Sequence, residues 1–513
     1  MYLLQGLNRA VSINPHGIAT INRARQHTWA ECADRIARLA GGLAARGIGR
    51  GDRVAILALN SDRYLEALFA VPMLGAIIVP LNTRLAPPEI GFALADSGSR
   101  MLLIDDAFAT MPAQVGRAAT SLDIVFLGDA ATPAGMTAWG DLLGAKFTTD
   151  MPPGGDDVAG IFYTGGTTGR SKGVMLTHAN LVSNAAMMGP ACGYRADSVY
   201  VHAAPMFHLA DGASTFAITM IGGTHVFVAR FDPADLMAEI ARTKVTNTLL
   251  VPTMVNALAN HPDIAKHDLS RLRVIPYGAS PMPDAVLQKA AAVLPHVHFM
   301  HVYGMTEASP LVTTMELDER PTGRRAQSCG RPAMLVEVRI ADENDNEVPR
   351  GTVGEVQVRG PNIMKGYWNL PEVTEAALRG GWYHSGDGGV MDDDGYIYIV
   401  DRLKDMIISG GENIYSAEVE SAISTLDGVA EVAVIGIPHE TWGEAVHAVV
   451  VPRAGATLTP EQVIAHSRTQ IAGFKCPRSV DIRAAALPLS GAGKVLKTEL
   501  RAPFWVGRSK QVS

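Results

Sequence analysis

Residues 28–60 read TWAECADRIARLAGGLAARGIGRGDRVAILALN, and this stretch decides the fold class. Trp29, Ala33, Ile36, Ala37, Ala40, Leu43 and Ala44 recur at helical spacing, and Gly47 follows as a stop signal. Val54 to Leu59 is then a short apolar run between Gly51-Asp52 and Asn60-Ser61. Its length and flanks predict a strand covered on both faces. A second pair follows, a helix from Tyr64 to Leu74 and a strand from Ala76 to Pro80. Further strands are expected at Met101–Ile104, Ile124–Leu127 and Thr248–Val251. Helices alternating with fully apolar strands imply an α/β fold with largely parallel, covered sheets.

The texture changes past Gly330. Short strands such as Leu335–Ile340 and Gly354–Val358 are separated by polar turns such as Asp342–Asn346, which predicts a smaller β-rich region. Another α/β segment runs from Ser416. The expected domains are 1–401, a hinge at 402–405 and a small α+β domain at 406–513. At 513 residues the chain is too long for one compact domain.

With 47% hydrophobic and 19% charged residues, the composition is that of a globular protein rather than a disordered one. A formal net charge of −7 with no basic cluster argues against a nucleic-acid partner or a membrane surface. The longest apolar run, Ala67 to Leu81, is broken by Pro72, Gly75 and Pro80 and is too short to span a bilayer. The first residues lack the basic start and apolar core of a signal peptide. Cys32, Cys192, Cys329 and Cys476 have no metal-binding spacing and read as reduced thiols. A cytoplasmic location is expected.

Tyr163-Thr-Gly-Gly-Thr-Thr-Gly-Arg-Ser-Lys-Gly173 is the strongest local signal. Glycines leave backbone N–H groups free to approach phosphate oxygens, threonine hydroxyls add donors, and Lys172 adds positive charge. Lys172 is followed by glycine, so the spacing is not that of a Walker A loop. A flexible surface loop is the alternative for these residues taken alone.

In company, the loop resembles that of the acyl-adenylate-forming superfamily, which includes acyl-CoA synthetases, peptide-synthetase adenylation domains and luciferases. Gly165 and Ser171 depart from the usual form, and Gly165 removes a hydroxyl. The resemblance extends in order through Pro205-Met-Phe-His208, Tyr277-Gly-Ala-Ser280 and Tyr303-Gly-Met-Thr-Glu307. It continues through Gly360-Pro-Asn-Ile-Met-Lys-Gly-Tyr-Trp368, Trp382-Tyr-His-Ser-Gly-Asp387, Asp401-Arg-Leu-Lys-Asp405 and Gly410-Gly-Glu-Asn-Ile414. Phe474-Lys-Cys-Pro-Arg478 and Gly491-Ala-Gly-Lys494 close the series.

The resemblance implies an AMP-forming acyl-CoA synthetase using ATP, Mg²⁺ and coenzyme A. Adenylation brings two anions together, so cations and a metal must absorb charge. By resemblance Lys494 bridges the acyl carboxylate and phosphate, beside Lys172. Thr306 bonds the α-phosphate, and Glu307 with Thr164 holds the metal, as suits a hard cation. Thr164, Gly165, Gly166, Thr167, Thr168 and Gly169 cradle phosphate. Gly278, Ala279 and Ser280 lie along the adenine, Tyr303 stacks on it beside Gly304, Asp387 takes the ribose hydroxyls, and Arg402 holds ribose or phosphate oxygens. His208, Ala210 and Gly212 belong to the acyl pocket. His208 is not assigned as a base, since a carboxylate is already ionised at neutral pH.

Lys404 matches the hinge, and Gly410 and Gly411 line the pantetheine tunnel. Residue by residue, alternatives stay open: a helix start at Thr306-Glu307, a core Tyr303, ordinary turns at Asp387 and Gly410.

The small residues around the pocket fit an apolar acid. A medium- or long-chain fatty acid is expected, with an aryl acid as the alternative. Loading of a separate carrier protein is a second alternative, since the chain carries no carrier domain after Lys494. A homodimer is the family-level expectation for assembly.

Overall fold

The helix Trp29–Ala45 starts where the sequence places it because Thr28 and Glu31 cap it reciprocally. The Thr28 hydroxyl accepts the Glu31 N–H at 3.2 Å, and the Glu31 carboxylate accepts the Thr28 N–H at 2.8 Å. Trp29, Cys32, Ile36, Leu39, Ala40 and Leu43 form its buried stripe. The strand Arg53–Leu57, the helix Asp62–Met73 and the strand Ile77–Pro80 follow within a residue or two of the expected bounds.

These elements belong to a computed structural model. It describes residues 1–116, 122–149, 152–164, 171–280, 282–317, 319, 323–410, 412–489 and 495–506, without the side chains of 324 and 404.

Arg53–Leu57 pairs in parallel with both Ile77–Pro80 and Met101–Ile104, and the latter pairs in parallel with Asp123–Phe126. Ile77–Pro80 and Met101–Ile104 are buried throughout and Arg53–Leu57 from its second residue on, which is why they read as unbroken apolar runs rather than alternating ones. They lie in an eight-stranded sheet that also holds Val158–Thr164, Lys172–Thr177 and Gly366–Tyr367. The apolar run Ala67–Leu81 resolves into buried helix and strand, as its prolines and glycine require.

The chain packs as two compact units. Among the described residues, one comprises 1–164, 171–338 and 358–383, and the other 339–357 and 384–506. Besides the eight-stranded sheet, the first unit has two four-stranded sheets. One runs Val199–His202, Thr224–Phe227, Ile18–Asn22, Arg25–Thr28, and the other Val274–Tyr277, His298–Gly304, Leu311–Thr314, Arg331–Pro332.

The expected strand at Thr248–Val251 is not a strand. It is buried, but only isolated parallel bridges reach it, Asn247 to Tyr200 and Val274, and Leu250 to Tyr277. Its neighbours lie on different sheets, and Pro252 opens a helix directly after it.

The second unit holds most of a four-stranded sheet, ordered Glu337–Ala341, Gly354–Arg359, Tyr383–Met391, Ile397–Arg402, and a five-stranded sheet around Val429–His439 and Gly443–Pro452. The expected strand Leu335–Ile340 begins two residues late. Leu335 takes a positive φ of 68° and is 60% exposed, so its apolar character marks a turn rather than a strand. The units divide earlier in the chain than the Arg402–Asp405 segment, because the strand Ile397–Arg402 packs with the C-terminal residues. Among the described residues no helix is long and apolar enough to cross a membrane.

Candidate active site

In the first unit, Val158–Thr164 and Lys172–Thr177 run antiparallel, pairing Thr164 with Lys172 at the flanks of the phosphate loop. The Thr164 hydroxyl reaches the Lys172 carbonyl at 3.4 Å. Gly165, Gly166, Thr167, Thr168 and Gly169 lie outside the described residues, as do Gly411 and Lys494.

The Lys172 ammonium sits 4.4 Å from the centroid of the Tyr367 ring, a cation–π contact. The Tyr367 hydroxyl donates to Glu307 Oε1 at 3.0 Å. Cation, aromatic ring and carboxylate therefore stand in one chain of contacts. The backbone fixes this order: Tyr367 pairs with Val174, Trp368 N–H donates to the Gly173 carbonyl at 2.7 Å, and Met364 N–H to the Glu307 carbonyl at 2.8 Å. Tyr383 lies close by, and burial with the Glu307 charge pushes its phenol well above the ordinary range.

Tyr367 and Asn362 are the residues of this site that sequence reasoning missed. Both fall in a motif that was noticed, Gly360–Trp368, but given no role. Asn362 is fully buried and donates to the carbonyls of Ala308 and Leu311, each at 2.8 Å, while Ser309 Oγ donates back to its carbonyl at 2.7 Å. It therefore holds the turn that carries Thr306 and Glu307. Asn362→Ala is expected to lower stability by about 2–3 kcal/mol, because two buried carbonyls lose a donor. Urea unfolding of the variant checks this.

Thr306 opens a single 3₁₀ turn, Thr306–Ala308, directly after the strand His298–Gly304. Its neighbour in parallel, Val274–Tyr277, leads into Gly278, Ala279 and Ser280. The strip and half-buried Tyr303 thus stand at the carboxyl ends of adjacent parallel strands, where open α/β sheets bind ligands. A methyl at Gly278 would collide with the Val302 carbonyl oxygen, and one at Gly304 with that of Pro310. Ala279 takes a φ of +67°, so the chain turns sharply here without glycine.

His208, Ala210 and Gly212 are held by a different network. His208 precedes the helix Leu209–Ile221 and packs its ring 4.4 Å from Phe207. Beneath it, fully buried Asp211 accepts from the Tyr200 hydroxyl at 2.8 Å and from His202 Nδ1 at 2.6 Å. His202 meets His225 at 3.0 Å, and burial holds His225 neutral. The Tyr200 hydroxyl and His202 so hold the buried Asp211 side chain beneath the first turn. A cleft of about 570 Å³ in the same unit is lined by Asn60, Arg84, Phe207, Arg230, Phe231 and Met254.

In the second unit Asp387 and Arg402 are register partners on adjacent antiparallel strands, joined by an ion pair of 2.6 Å. The carboxylate is buried and the guanidinium about 39% exposed. Ser385 Oγ accepts the Asp387 N–H at 3.0 Å, and Glu355 accepts the Gly386 N–H at 2.9 Å. Glu355 also pairs with His384 at 2.7 Å. With Asp345 these two form a cluster of metal-type ligands, but Gln357 already bonds within it, donating to Asp345 at 2.8 Å. The cluster acts as a buttress for the turn before Asp387.

Gly410 has a φ of +62° and donates its N–H to the Trp442 carbonyl at 2.9 Å. His439 stacks on Trp442 at 4.2 Å, and the Arg478 guanidinium lies 4.7 Å from that ring. Lys404 falls in the 3₁₀ turn Leu403–Asp405.

The model of the AMP-binding enzyme family matches residues 7–368, and that of the AMP-binding enzyme C-terminal domain matches residues 418–494. The chain belongs to the AMP-binding enzyme family. Among curated AMP-binding relatives, the Feruloyl-CoA synthase of an Amycolatopsis species is 42% identical over 501 residues, covering 97% of this chain and 98% of that protein. The long-chain-fatty-acid–CoA ligase FadD13 of Mycobacterium tuberculosis is 36% identical, covering 93% of each. ATP-bound MatB from Rhodopseudomonas palustris superposes with a TM-score of 0.88 at 32% identity, covering 98% of this chain and 99% of that one. The α/β architecture is that of AMP-binding enzymes.

Proposed function

We propose that this AMP-forming acyl-CoA ligase acts on an aryl-substituted carboxylic acid. The chain is an ATP-dependent acid–thiol ligase by family and relatives, with ATP, Mg²⁺ and CoA as its cofactor and co-substrates. The observation that carries the choice of acid is the 42% identity, across nearly the whole chain, to a protein named Feruloyl-CoA synthase. The fatty acid expected from sequence has its support in the 36% identical FadD13. Competition between ferulate and dodecanoate, with ATP, Mg²⁺ and CoA, tests the choice. A kcat/KM for ferulate at least about tenfold higher is expected, a difference of about 1.4 kcal/mol in transition-state binding. A preference for dodecanoate restores the fatty-acid reading.

In the first step a carboxylate oxygen attacks the α-phosphorus and pyrophosphate leaves. Lys172 and Lys494 draw charge from the phosphates, and Thr306 bonds the α-phosphate. Glu307 and Thr164 offer the hard oxygens a magnesium ion takes, and the ion would neutralise triphosphate charge. Tyr367 orients both Lys172 and Glu307. Gly278–Ser280, Tyr303 and Gly304 receive the adenine, and Asp387 with Arg402 the ribose hydroxyls. His208, Ala210 and Gly212 wall the acyl group.

In the second step the CoA thiol attacks the acyl carbon, loses its proton, and AMP departs. The cleft with Arg84 and Arg230 offers two cations for the CoA phosphates. Gly410 and Gly411 leave room for the pantetheine arm. Lys494 cannot remain at the phosphate while the thiol enters, so the C-terminal region turns at Lys404 between steps. Lys404→Pro is expected to slow one half-reaction at least about tenfold more than the other, because proline fixes the φ that a hinge residue must change. Equal losses, measured by separate assays of the two half-reactions, would argue against the hinge. A cytoplasmic location is supported by the free, buried state of Cys32, Cys192, Cys329 and Cys476.

A further inference from the structure

The cleft lined by Phe207, Arg230 and Phe231 has in its wall a buried asparagine that the reaction as described does not use. Asn60 comes shortly after the strand Arg53–Leu57 and directly before Ser61, which caps the helix Asp62–Met73 by accepting the Tyr64 N–H at 3.1 Å. It is 5% exposed. Its side-chain nitrogen donates to three backbone carbonyls, those of Ala204 at 2.8 Å, His202 at 3.1 Å and Val228 at 3.2 Å. Its side-chain oxygen accepts the Met206 N–H at 2.9 Å. Two amide hydrogens serve three acceptors, so both are committed.

The partners are not scattered. Asn60 leaves the eight-stranded sheet, whereas His202 ends Val199–His202 and Val228 directly follows Thr224–Phe227, parallel neighbours in a different sheet. One side chain thus ties the carboxyl ends of strands from two sheets. The segments that lead on from those ends are cleft wall, with Ala203, Pro205 and Phe207 after one strand and residues 229–231 after the other. Met206 is confined at its carbonyl as well. A methyl group at Gly212 would stand 2.5 Å from the Met206 carbonyl oxygen, so this loop lies directly on the helix Leu209–Ile221. Phe207 therefore leaves a residue gripped at both its N–H and its carbonyl. Gly278, Ala279 and Ser280, like Thr306 and Glu307, continue strands of the third sheet of this unit, which the side-chain bonds of Asn60 do not reach.

We propose that Asn60 is a positioning residue for the thiol substrate, fixing Met206 and the two strand ends so that Phe207 and the residues at 229–231 keep the cleft open for CoA. The inference rests on the reading of this cleft as the place of CoA. It predicts a split between substrates, because the nucleotide residues hang on strands that Asn60 does not hold.

The test uses the full chain with Asn60→Ala and with Asn60→Asp, which keeps the size of the side chain and the acceptor for the Met206 N–H but loses the amide donor. Thr28→Ala, which uncaps the helix Trp29–Ala45, controls for lost stability. Arg84→Gln reports on the cleft itself. KM is measured for CoA and for ATP, with ferulate and separately with dodecanoate. Amide hydrogen exchange of residues 203–208 is followed by mass spectrometry without any ligand.

Both Asn60 variants are expected to raise the KM for CoA about tenfold and to leave that for ATP within about twofold. Exchange at 203–208 should quicken about tenfold while that at 298–307 stays as in the parent protein. Equal rises for CoA and ATP, the same split in Thr28→Ala, or unchanged exchange at 203–208 overturn the proposal. If Arg84→Gln raises the KM for CoA and the Asn60 variants do not, the cleft keeps its role and Asn60 loses its own. If Arg84→Gln leaves it unchanged as well, the reading of the cleft fails and the proposal fails with it.

Discussion

Replacing Lys494 by alanine is expected to slow acyl-adenylate formation by about a hundredfold to a thousandfold, the usual cost of removing one preorganised donor from a charged transition state. Thioester formation from a preformed acyl-adenylate should stay within about threefold of the parent enzyme. The asymmetry follows from the charges involved. In the first step a carboxylate and a triphosphate converge, and a cation bridging them is worth most where their charges merge. In the second, a thiol attacks an acyl group already activated, and AMP leaves without that bridge. Quenched-flow measurement of each half-reaction, started separately, reads the two effects apart.

The second large effect is expected at Glu307. Glu307→Gln keeps the size of the side chain and its ability to accept from the Tyr367 hydroxyl, a contact of 3.0 Å in the parent protein. What it removes is a full negative charge from a hard-cation ligand. Adenylation is expected to fall by about a hundredfold at limiting magnesium and to recover in part as magnesium is raised. Lys172 adds a further constraint, since it faces the ring of the same tyrosine. Tyr367→Phe retains that ring and loses only the hydroxyl, so its effect should be smaller than that of Glu307→Gln. A magnesium titration of adenylation in the three proteins checks the order. A Glu307→Gln enzyme whose loss is the same at every magnesium concentration would remove Glu307 from the metal.

Much of this was legible in the sequence because the physics was local. Met101–Ile104 is an apolar run of strand length, and it forms a strand with those bounds. Trp29 to Ala44 place apolar residues at helical spacing, and they form the helix Trp29–Ala45. Thr248–Val251 looks the same by composition, yet its pairing is split between strands on either side, which no local pattern reveals. Leu335 is apolar but turned outward with a positive φ, so burial could not be inferred from its type.

The site divides along the same line. Thr164, Lys172, Tyr303, Thr306, Glu307, Asp387 and Arg402 were singled out as candidates because they sit in short ordered motifs. Tyr367 and Asn362 were not, because their places come from contacts between segments tens of residues apart. Asn362 lies 54 residues from Ala308, and Tyr367 lies 60 from Glu307. Such contacts turn an ordinary asparagine or tyrosine into a fixed part, and only the folded chain shows them.

The most direct test of the central claim is the nucleotide product when the purified protein turns over ferulate, with dodecanoate in parallel, in the presence of ATP, Mg²⁺ and CoA. Phosphorus NMR and mass spectrometry of one reaction mixture are expected to show AMP and pyrophosphate in equal amounts, matched by one acyl-CoA per AMP. ADP and orthophosphate in place of AMP and pyrophosphate, or AMP formed with no acyl-CoA beside it, would contradict the account.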